Sequence, residues 1–362
     1  MKICVIVGTR PDIIKLSPII RYLHNKKSDY FVIHTGQHYS YNMDKLFFEE
    51  LELPQPNYNL NVGSKTHGEM TGMMLLGIEK ILIKEKPKAV LVLGDTNSTL
   101  AGALAASKLH IKLGHVEAGL RSYDRKMPEE INRIVTDHLS DFLFAPTNVS
   151  YGNLIQEGIP REKIIITGNP IVDAINKNLE ISKKKNSVLK KLNLQPKNYF
   201  LLTTHRPENV DNKDLLQSVF NGLKLVNEKY GYPIIFPAHP RTIKNIETFE
   251  IKVPSFVKII PPLGYLEFIQ IQNNARLVLT DSGGIQEESC ILKVPCVTLR
   301  EKTERPETID IGSNILAGTD ENKILDCVNK MLKIKTNFEN PFGDGNSSER
   351  IIKYLYNKIS VL

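Results

Sequence analysis

The run at residues 277–288, LVLTDSGGIQEE, has the pattern of a turn that binds a phosphate group. Leu277–Thr280 is predicted to be a short buried strand, residues 281–284 a tight glycine turn, and the remainder the start of a helix. The first N–H groups of a helix lack partners and carry partial positive charge, so they attract anions. Glu288 lies one turn later, where a carboxylate suits sugar hydroxyls. A nucleoside diphosphate fits this pattern, but so does an ordinary αβ turn whose helix is capped by Asp or Ser.

Charged side chains follow the predicted strands of the first half. Arg10 and Lys15 come after the first strand, and both suit phosphate. Asp95 follows a later strand, where the common role is to cap the next helix. Glu117 ends a buried strand, so we expect it to have a partner or a raised pKa. Glu129 begins a helix, where acidic residues are common. Asp95 and Glu129 could serve catalysis or could only belong to helix starts, and for Arg10 and Lys15 the alternative is ordinary surface solvation.

Two histidines follow successive strands of the second half. His205 ends one strand and His239 the next, and Arg305 follows a later strand. Because the carboxyl ends of parallel strands meet at one edge of the sheet, the two histidines should face the same crevice. The carboxylates belong to the first half and these groups to the second. We therefore expect chemistry between the two halves.

Strands and helices alternate along almost the whole chain, in two series. This predicts an α/β fold of two doubly wound, Rossmann-like domains, with parallel sheets. The expected divisions are residues 1–168, residues 169–346 and a last helix, 347–362, that crosses back to the first domain. Twelve strands are predicted, at residues 3–7, 31–35, 89–93, 112–116, 142–145, 164–167, 200–203, 234–237, 257–260, 277–280, 296–299 and 315–317.

Composition restricts the class of protein. The 362 residues carry a formal charge of +7 without long basic runs, so we expect an anionic small molecule as ligand and no nucleic acid. The four cysteines form no C-x-x-C pair, which predicts neither disulfides nor zinc. No signal region or membrane-spanning apolar run is visible, so we expect a cytoplasmic protein that does not contact membranes.

Nine motifs in family order resemble the non-hydrolysing UDP-N-acetylglucosamine 2-epimerases. They extend over nearly the whole chain, and nine in register are far more specific than any single one. The motifs are GTRPDIIK (8–15), TGQH (35–38), GDT (94–96), GHVEAGLR (114–121), PEEINR (128–133), HRPEN (205–209), DSGGIQEE (281–288), TERPE (303–307) and NPFGDG (340–345).

The resemblance implies a glycosyltransferase-B-like fold with the active site in the cleft between its domains, a homodimer, and no cofactor. It implies interconversion of UDP-N-acetylglucosamine and UDP-N-acetylmannosamine through elimination of UDP to a 2-acetamidoglucal, for the synthesis of surface polysaccharides or glycoproteins. Asp95, Glu117 and Glu129 would be the acid and base carboxylates, and His205 would assist at the departing diphosphate. Which carboxylate serves which face of the sugar stays open.

The resemblance also implies a set of binding residues. Arg10 and Lys15 would hold phosphate, Ser282, Gly283 and Gly284 the diphosphate, Glu288 the ribose, and Phe268 would stack on uracil. His239 and Arg305 would complete the substrate site. A hydrolysing epimerase that releases N-acetylmannosamine, and a glycosyltransferase of the same fold, are the alternative activities; the carboxylates of the first half argue against the transferase.

The motifs depart from the family at a site where bacterial members bind a second substrate molecule as activator. Tyr39 and Pro207 stand where that site commonly has arginines. Gln37 and Arg206 are retained as candidate activator-site residues. Because two cationic partners for a diphosphate are lost, we expect UDP-N-acetylmannosamine alone to be converted without a strict need for the other epimer.

Overall fold

The chain forms two compact units. The computed structural model describes residues 1–36, 41–185 and 188–359. The first unit is Met1–Lys177 with Phe342–Leu362, and the second is Asn178–Pro341. The boundaries expected from the sequence, at residues 168 and 346, stay a prediction. No helix in the described ranges is long and apolar enough to cross a membrane.

The first unit contains a parallel sheet of seven strands. Their spatial order is β3-β2-β1-β4-β5-β6-β7, so the order reverses between β1 and β4, the kind of position where doubly wound folds bind ligands. β1 is buried along its whole length between β2 and β4. The strands are β1 (Ile3–Val7), β2 (Tyr30–His34), β3 (Tyr58–Asn59), β4 (Ala89–Leu93), β5 (Lys112–Val116), β6 (Phe142–Ala145) and β7 (Ile164–Ile166).

Helices connect these strands in sequence. α1 begins with a capping box, in which Asp12 accepts a hydrogen bond from the backbone N–H of Thr9. α4 begins after Thr96, whose hydroxyl accepts from the N–H of Thr99 at 3.3 Å. The helices are α1 (Arg10–Asn25), α2 (Tyr41–Glu50), α3 (His67–Glu85), α4 (Asn97–Lys108), α5 (Pro128–Leu139), α6 (Asn148–Gln156) and α7 (Pro170–Lys184), with a 3₁₀ turn at Arg161–Lys163.

The second unit repeats this architecture with six parallel strands. Their order is β10-β9-β8-β11-β12-β13, with the reversal between β8 and β11. The strands are β8 (Phe200–Thr203), β9 (Ile234–Pro237), β10 (Val257–Ile260), β11 (Leu277–Thr280), β12 (Cys296–Thr298) and β13 (Asn314–Leu316). The helices are α8 (Val188–Lys191), α9 (Pro207–Val210), α10 (Lys213–Tyr230), α11 (Pro240–Thr248), α12 (Tyr265–Asn274), α13 (Gly283–Ile291), α14 (Pro306–Asp310) and α15 (Glu321–Met331).

The last helix, α16 (Ser347–Ile359), packs within the first unit. The ring of Tyr354 meets Phe142 and Phe144 edge-on, at centroid distances of 5.9 and 6.1 Å. Asp173 on α7 accepts from the N–H of Ser348 at 2.9 Å and so caps the helix. Aromatic packing and capping thus hold the chain terminus to the unit in which the chain begins.

The predicted α/β class and the two doubly wound parallel sheets are confirmed. Every strand that was predicted is present, each with bounds within a residue of the prediction. The prediction missed β3, because two residues carry no readable alternation. It also started the helix after the glycine turn at Ile285, whereas α13 begins at Gly283.

Candidate active site

Three polar segments of the first unit meet where its strand order reverses. Residues 8–10 follow β1, Asp95 follows β4, and Glu117 follows β5. β4 and β5 are neighbours, with Leu93 opposite Val116, so their following residues emerge side by side. A Cβ atom added to Gly94 would lie 3.6 Å from Glu117 Oε2. The backbone before Asp95 therefore lies next to the Glu117 carboxylate.

Glu117 is buried and has the partners that its position requires. Lys15 Nζ donates to its Oε1 at 2.6 Å, and Asn169 Nδ2 donates to the same oxygen at 2.8 Å. Its backbone has φ +66°, a left-handed conformation that costs a non-glycine residue on the order of 1–3 kcal/mol. Such strain concentrates at functional sites. Lys15, which was predicted to bind phosphate, contacts a predicted catalytic carboxylate. Asn169 was not predicted as a site residue, because no sequence pattern around it indicates this role.

Asp95 is partly accessible, with 29% of its side chain exposed. It forms an ion pair with Arg133 of α5. Asn132 of the same helix donates to the Asp95 carbonyl oxygen at 2.8 Å. The alternative that Asp95 caps α4 is wrong, because Thr96 is the capping residue. A carboxylate held by an arginine and open to solvent on one side can reach a ligand.

Asp12 is a buried carboxylate that the sequence reasoning missed. Its Oδ2 accepts from the N–H groups of Gly8 and Thr9 at 3.2 and 3.0 Å, and from Thr96 Oγ1 at 3.4 Å. Burial raises its pKa to about 7, although the bonds from Thr9 and Gly8 oppose this shift. The capping-box spacing could have indicated the residue. Asp12 links the loop after β1 to the loop after β4.

Two remaining predicted residues of this unit lie at helix starts. Arg10 begins α1, with its guanidinium 5.2 Å from the ring centroid of Phe47. Glu129 is exposed in the first turn of α5. The adjacent Glu130 is buried and accepts from the N–H groups of Ser122 and Tyr123 at 3.0 and 2.9 Å. Of the two glutamates, only Glu129 is accessible to a ligand.

In the second unit, the glycine turn opens α13 without a side-chain cap. Ser282 occupies the capping position but its side chain makes no capping hydrogen bond. A carbon β at Gly284 would meet nothing within 4 Å, and at Gly283 it would lie 3.5 Å from Glu304 Oε2. Neither glycine has positive φ. Gly284 therefore leaves open space over the helix start, which suits an anion.

Asp281 does not cap a helix; its buried carboxylate links two loops by hydrogen bonds. Thr204 Oγ1 donates to its Oδ2 at 2.8 Å, and the N–H groups of His205 and Arg206 donate at 3.0 and 2.9 Å. His205 Nδ1 lies 3.3 Å from Asp281 Oδ1. Burial lowers the pKa of His205, and the negative charge of Asp281 opposes that shift. The carboxylate thus holds the loop after β8 against the glycine turn.

Four predicted residues of this unit line one cavity of about 300 Å³, namely His205, His239, Phe268 and Ser282. His239 caps α11, and its Nδ1 accepts from the N–H of Arg241 at 3.2 Å, which places a proton on Nε2 when the ring is neutral. An aromatic ring, two imidazoles and a hydroxyl therefore surround a space large enough for a ring-sized ligand.

Other predicted residues do not line this cavity. Glu288 is buried on α13, and Arg305 is buried with its Nε 2.7 Å from Glu287 Oε1. Arg206 lines a separate cavity of about 440 Å³ with Arg300 and Lys302. Gln37 lies outside the described residues. In the described ranges, no cluster of three His, Cys, Asp or Glu side chains is placed to hold a metal ion.

Known proteins match the chain along its whole length. A family model described as UDP-N-acetylglucosamine 2-epimerase matches residues 21–356. The UDP-N-acetylglucosamine 2-epimerase of Methanococcus maripaludis is 58% identical, with 98% of each chain covered. The crystal structure of the Methanocaldococcus jannaschii UDP-GlcNAc 2-epimerase in complex with UDP-GlcNAc and UDP superposes with a TM-score of 0.90 at 57% identity, covering 99% of this chain and 100% of that one. The Neisseria meningitidis UDP-GlcNAc 2-epimerase bound to UDP-GlcNAc gives a TM-score of 0.88 at 34% identity, covering 99% and 100%.

Proposed function

Because this chain belongs to the UDP-N-acetylglucosamine 2-epimerase family, we propose that it interconverts UDP-N-acetylglucosamine and UDP-N-acetylmannosamine by inverting C2 without hydrolysis. One observation carries the proposal. Asp95 and Glu117 follow the neighbouring strands β4 and β5, of which β4 borders the reversal point of the first sheet. Arg133 forms an ion pair with Asp95, and Lys15 with Glu117. Inversion at C2 needs a proton acceptor on one face and a donor on the other, which two carboxylates can supply.

The C2 proton is weakly acidic, but C1 carries a diphosphate, which is a good leaving group. In the proposed route a carboxylate takes the C2 proton while the C1–O bond breaks, giving UDP and a 2-acetamidoglucal. UDP then adds back to C1 while a second carboxylate delivers a proton to the opposite face of C2. No net oxidation occurs. The route therefore needs no redox cofactor.

In the first unit, Asp95, Glu117 and Glu129 are the proposed proton carriers. Lys15 balances the charge of Glu117, which must be ionised to accept a proton, and Arg10 is proposed to contact phosphate. Asn169 orients the Glu117 carboxylate.

In the second unit, the open helix start at Ser282, Gly283 and Gly284 is proposed to bind the diphosphate. The cavity that Ser282 helps to line would take the uracil ring against Phe268, and His205 and His239 also line it. Glu288 is proposed for the ribose, and Arg305 for completing the substrate site. His205 would donate a hydrogen bond to the departing diphosphate.

Product analysis separates this activity from its alternatives. We expect the purified protein, given UDP-N-acetylglucosamine alone, to produce UDP-N-acetylmannosamine until a constant ratio is reached. Release of free N-acetylmannosamine with UDP would instead indicate a hydrolysing epimerase, and consumption only with an added acceptor would indicate a transferase. Phosphorus and proton NMR of the mixture distinguish the three.

We further propose a homodimer and a weakened activator site that retains Gln37 and Arg206, so that UDP-N-acetylmannosamine alone is converted without a strict need for the other epimer. Arg206 lines a cavity with the cationic Arg300 and Lys302 but also with the carboxylates Glu208 and Glu301. This mixed lining is consistent with weakened binding of a diphosphate. Light scattering should give twice the chain mass of 41.0 kDa.

A further inference from the structure

His115 is a fully buried histidine on β5, between the loops that carry Asp95 and Glu117. Its Nδ1 lies 2.7 Å from Asp137 Oδ1 on α5. Its Nε2 lies 2.8 Å from the carbonyl oxygen of Gly94, directly before Asp95. The ring thus links a helix, a strand and the Asp95 loop. No role in the proposed reaction requires His115 to contact substrate.

Both partners of His115 are acceptors. The Gly94 carbonyl oxygen has no hydrogen to donate. Asp137 is placed as an acceptor, because its Oδ2 accepts from the N–H of Gly119 at 3.2 Å and lies 2.7 Å from Arg121 Nη2. The two short contacts of the ring therefore link Asp137 on α5 to the backbone directly before Asp95.

The contacts of Asp137 continue into a chain of charged side chains. Arg121 Nη2 lies 2.7 Å from Asp137 Oδ2 and 2.6 Å from Glu157 Oε2. His138 lies 3.9 Å from Glu157 at the exposed end of this chain of contacts. Arg121 lies between the carboxylates of Asp137 and Glu157, and a buried charge is tolerated where it is paired and hydrogen-bonded in this way.

The network fixes the backbone on both sides of Glu117. The N–H of Gly94 donates to the carbonyl oxygen of Val116 at 3.1 Å, and the N–H of Gly119 donates to Asp137 Oδ2 at 3.2 Å. Gly94, Glu117 and Gly119 all have positive φ, from +66° to +84°. Only Glu117 is strained by this conformation, since glycine adopts positive φ freely. His115 contacts the backbone of the loop before Asp95, and Asp137 contacts the backbone just after Glu117.

We propose that His115 is a positioning residue that sets the spacing between Asp95 and Glu117. The proposal rests on the proposed function, which assigns proton transfer at C2 to these two carboxylates. A displacement of about 1 Å in such a pair is enough to lower the rate about 10²-fold. His115 acts on the reaction only through the loops that it holds.

Two substitutions separate the two bonds of the ring. The amide of a glutamine reaches the place of Nε2 and can donate to Gly94, whereas that of an asparagine reaches the place of Nδ1 and can donate to Asp137. We expect His115→Asn to lower kcat about 10²-fold with little change in KM, and His115→Gln to retain more activity. His24→Gln, at an exposed histidine of the same unit, should match the wild type. An asparagine variant as active as the glutamine variant, or more active, would contradict the proposal.

The hydrogen bond to Gly94 is measured on the unaltered protein, so it does not depend on whether the variants fold. In protein labelled with ¹⁵N-histidine, Nε2 of His115 should carry hydrogen, because its partner is a carbonyl oxygen. An Nε2 without hydrogen overturns the proposal. This measurement is independent of turnover: a wild-type protein that shows this N–H but does not act on C2 would refute the proposed function, not the contact of His115 with Gly94.

Discussion

At the scale of the residue, Asp95 and Glu117 are the groups on which the proposed chemistry depends. We predict that Asp95→Asn and Glu117→Gln each lower kcat by about 10²-fold or more, with smaller effects on KM, because a positioned proton carrier is lost while the binding groups remain. Asp124→Asn, at an exposed carboxylate in the loop before α5, is the matched control and should be unaffected. Steady-state kinetics test this; a fully active Asp95→Asn protein would refute the assignment.

Glu129 and Glu130 are adjacent in the sequence, but Glu129 is exposed and Glu130 is buried. Glu130→Gln should lower the melting temperature, because one amide cannot satisfy the N–H groups of Ser122 and Tyr123 together with Arg133, and each unsatisfied buried group costs about 1–3 kcal/mol. Glu129→Gln should melt like the wild type yet lose kcat, since Glu129 is exposed and proposed to carry a proton. Normal turnover of Glu129→Gln would remove it from the catalytic set.

At the scale of the element, the start of α1 should respond to pH through Asp12. Its pKa rises from 3.8 in a free side chain to about 7 in the folded protein. The folded state therefore holds this proton more tightly, so the contribution to stability is complete below pH 3.8 and is lost as pH rises to about 7. Asp12→Asn cannot ionise. We predict that wild-type stability falls relative to Asp12→Asn across that range, by ~2–4 kcal/mol in the free energy of unfolding.

Urea denaturation of both proteins at several pH values measures this difference. Asp124→Asn should run parallel to the wild type, because that carboxylate is exposed. Parallel curves for Asp12→Asn and the wild type would show that Asp12 stays ionised in the folded protein.

A substitution at the start of α13 should affect protein stability and ligand binding in opposite directions, so the two effects can be measured separately. Gly284→Ala places a methyl group where nothing lies within 4 Å, so it should fold and gain about 0.5–1 kcal/mol from helix propensity. The same methyl group should obstruct a diphosphate and raise the Kd for UDP at least about tenfold, or ~1.4 kcal/mol. Gly152→Ala in α6 also meets nothing within 4 Å and should stabilise the protein without changing UDP binding. Calorimetric titration with UDP provides the test; equal Kd values for the two variants would place the diphosphate elsewhere.

The strands and helices could be predicted from the sequence more completely than the contacts between residues of the candidate active site. Strands such as Ile3–Val7 and Ala89–Leu93 are buried in parallel sheets, so they appear in the sequence as uninterrupted apolar runs. Asp12, Asp137 and Asn169 have no such pattern. Asp12 looks like an ordinary first-turn acid, and Asp137 and Asn169 acquire their roles from partners 22 and 52 residues away, His115 and Glu117. Long-range partners of this kind become visible only in the folded chain.

At the scale of the whole molecule, both units have the same strand order around their reversal points, and the predicted residues divide between them by chemical type. Asp95, Glu117 and Glu129 belong to the first unit. The cavity with His205 and Phe268, and the open helix start, belong to the second. This division corresponds to the two halves of the proposed reaction, proton transfer at the sugar and departure of a nucleoside diphosphate.

The most direct test of the central claim is the fate of the hydrogen at C2. The protein is incubated with UDP-N-acetylglucosamine in heavy water, without added nicotinamide or metal, and the C2 position of both epimers is followed by NMR. Proton removal and return by carboxylates predicts deuterium at C2 in both epimers while the sugar remains attached to UDP. A UDP-N-acetylmannosamine product that retains its original hydrogen at C2 would contradict the account, because no exchangeable proton carrier could then have acted there.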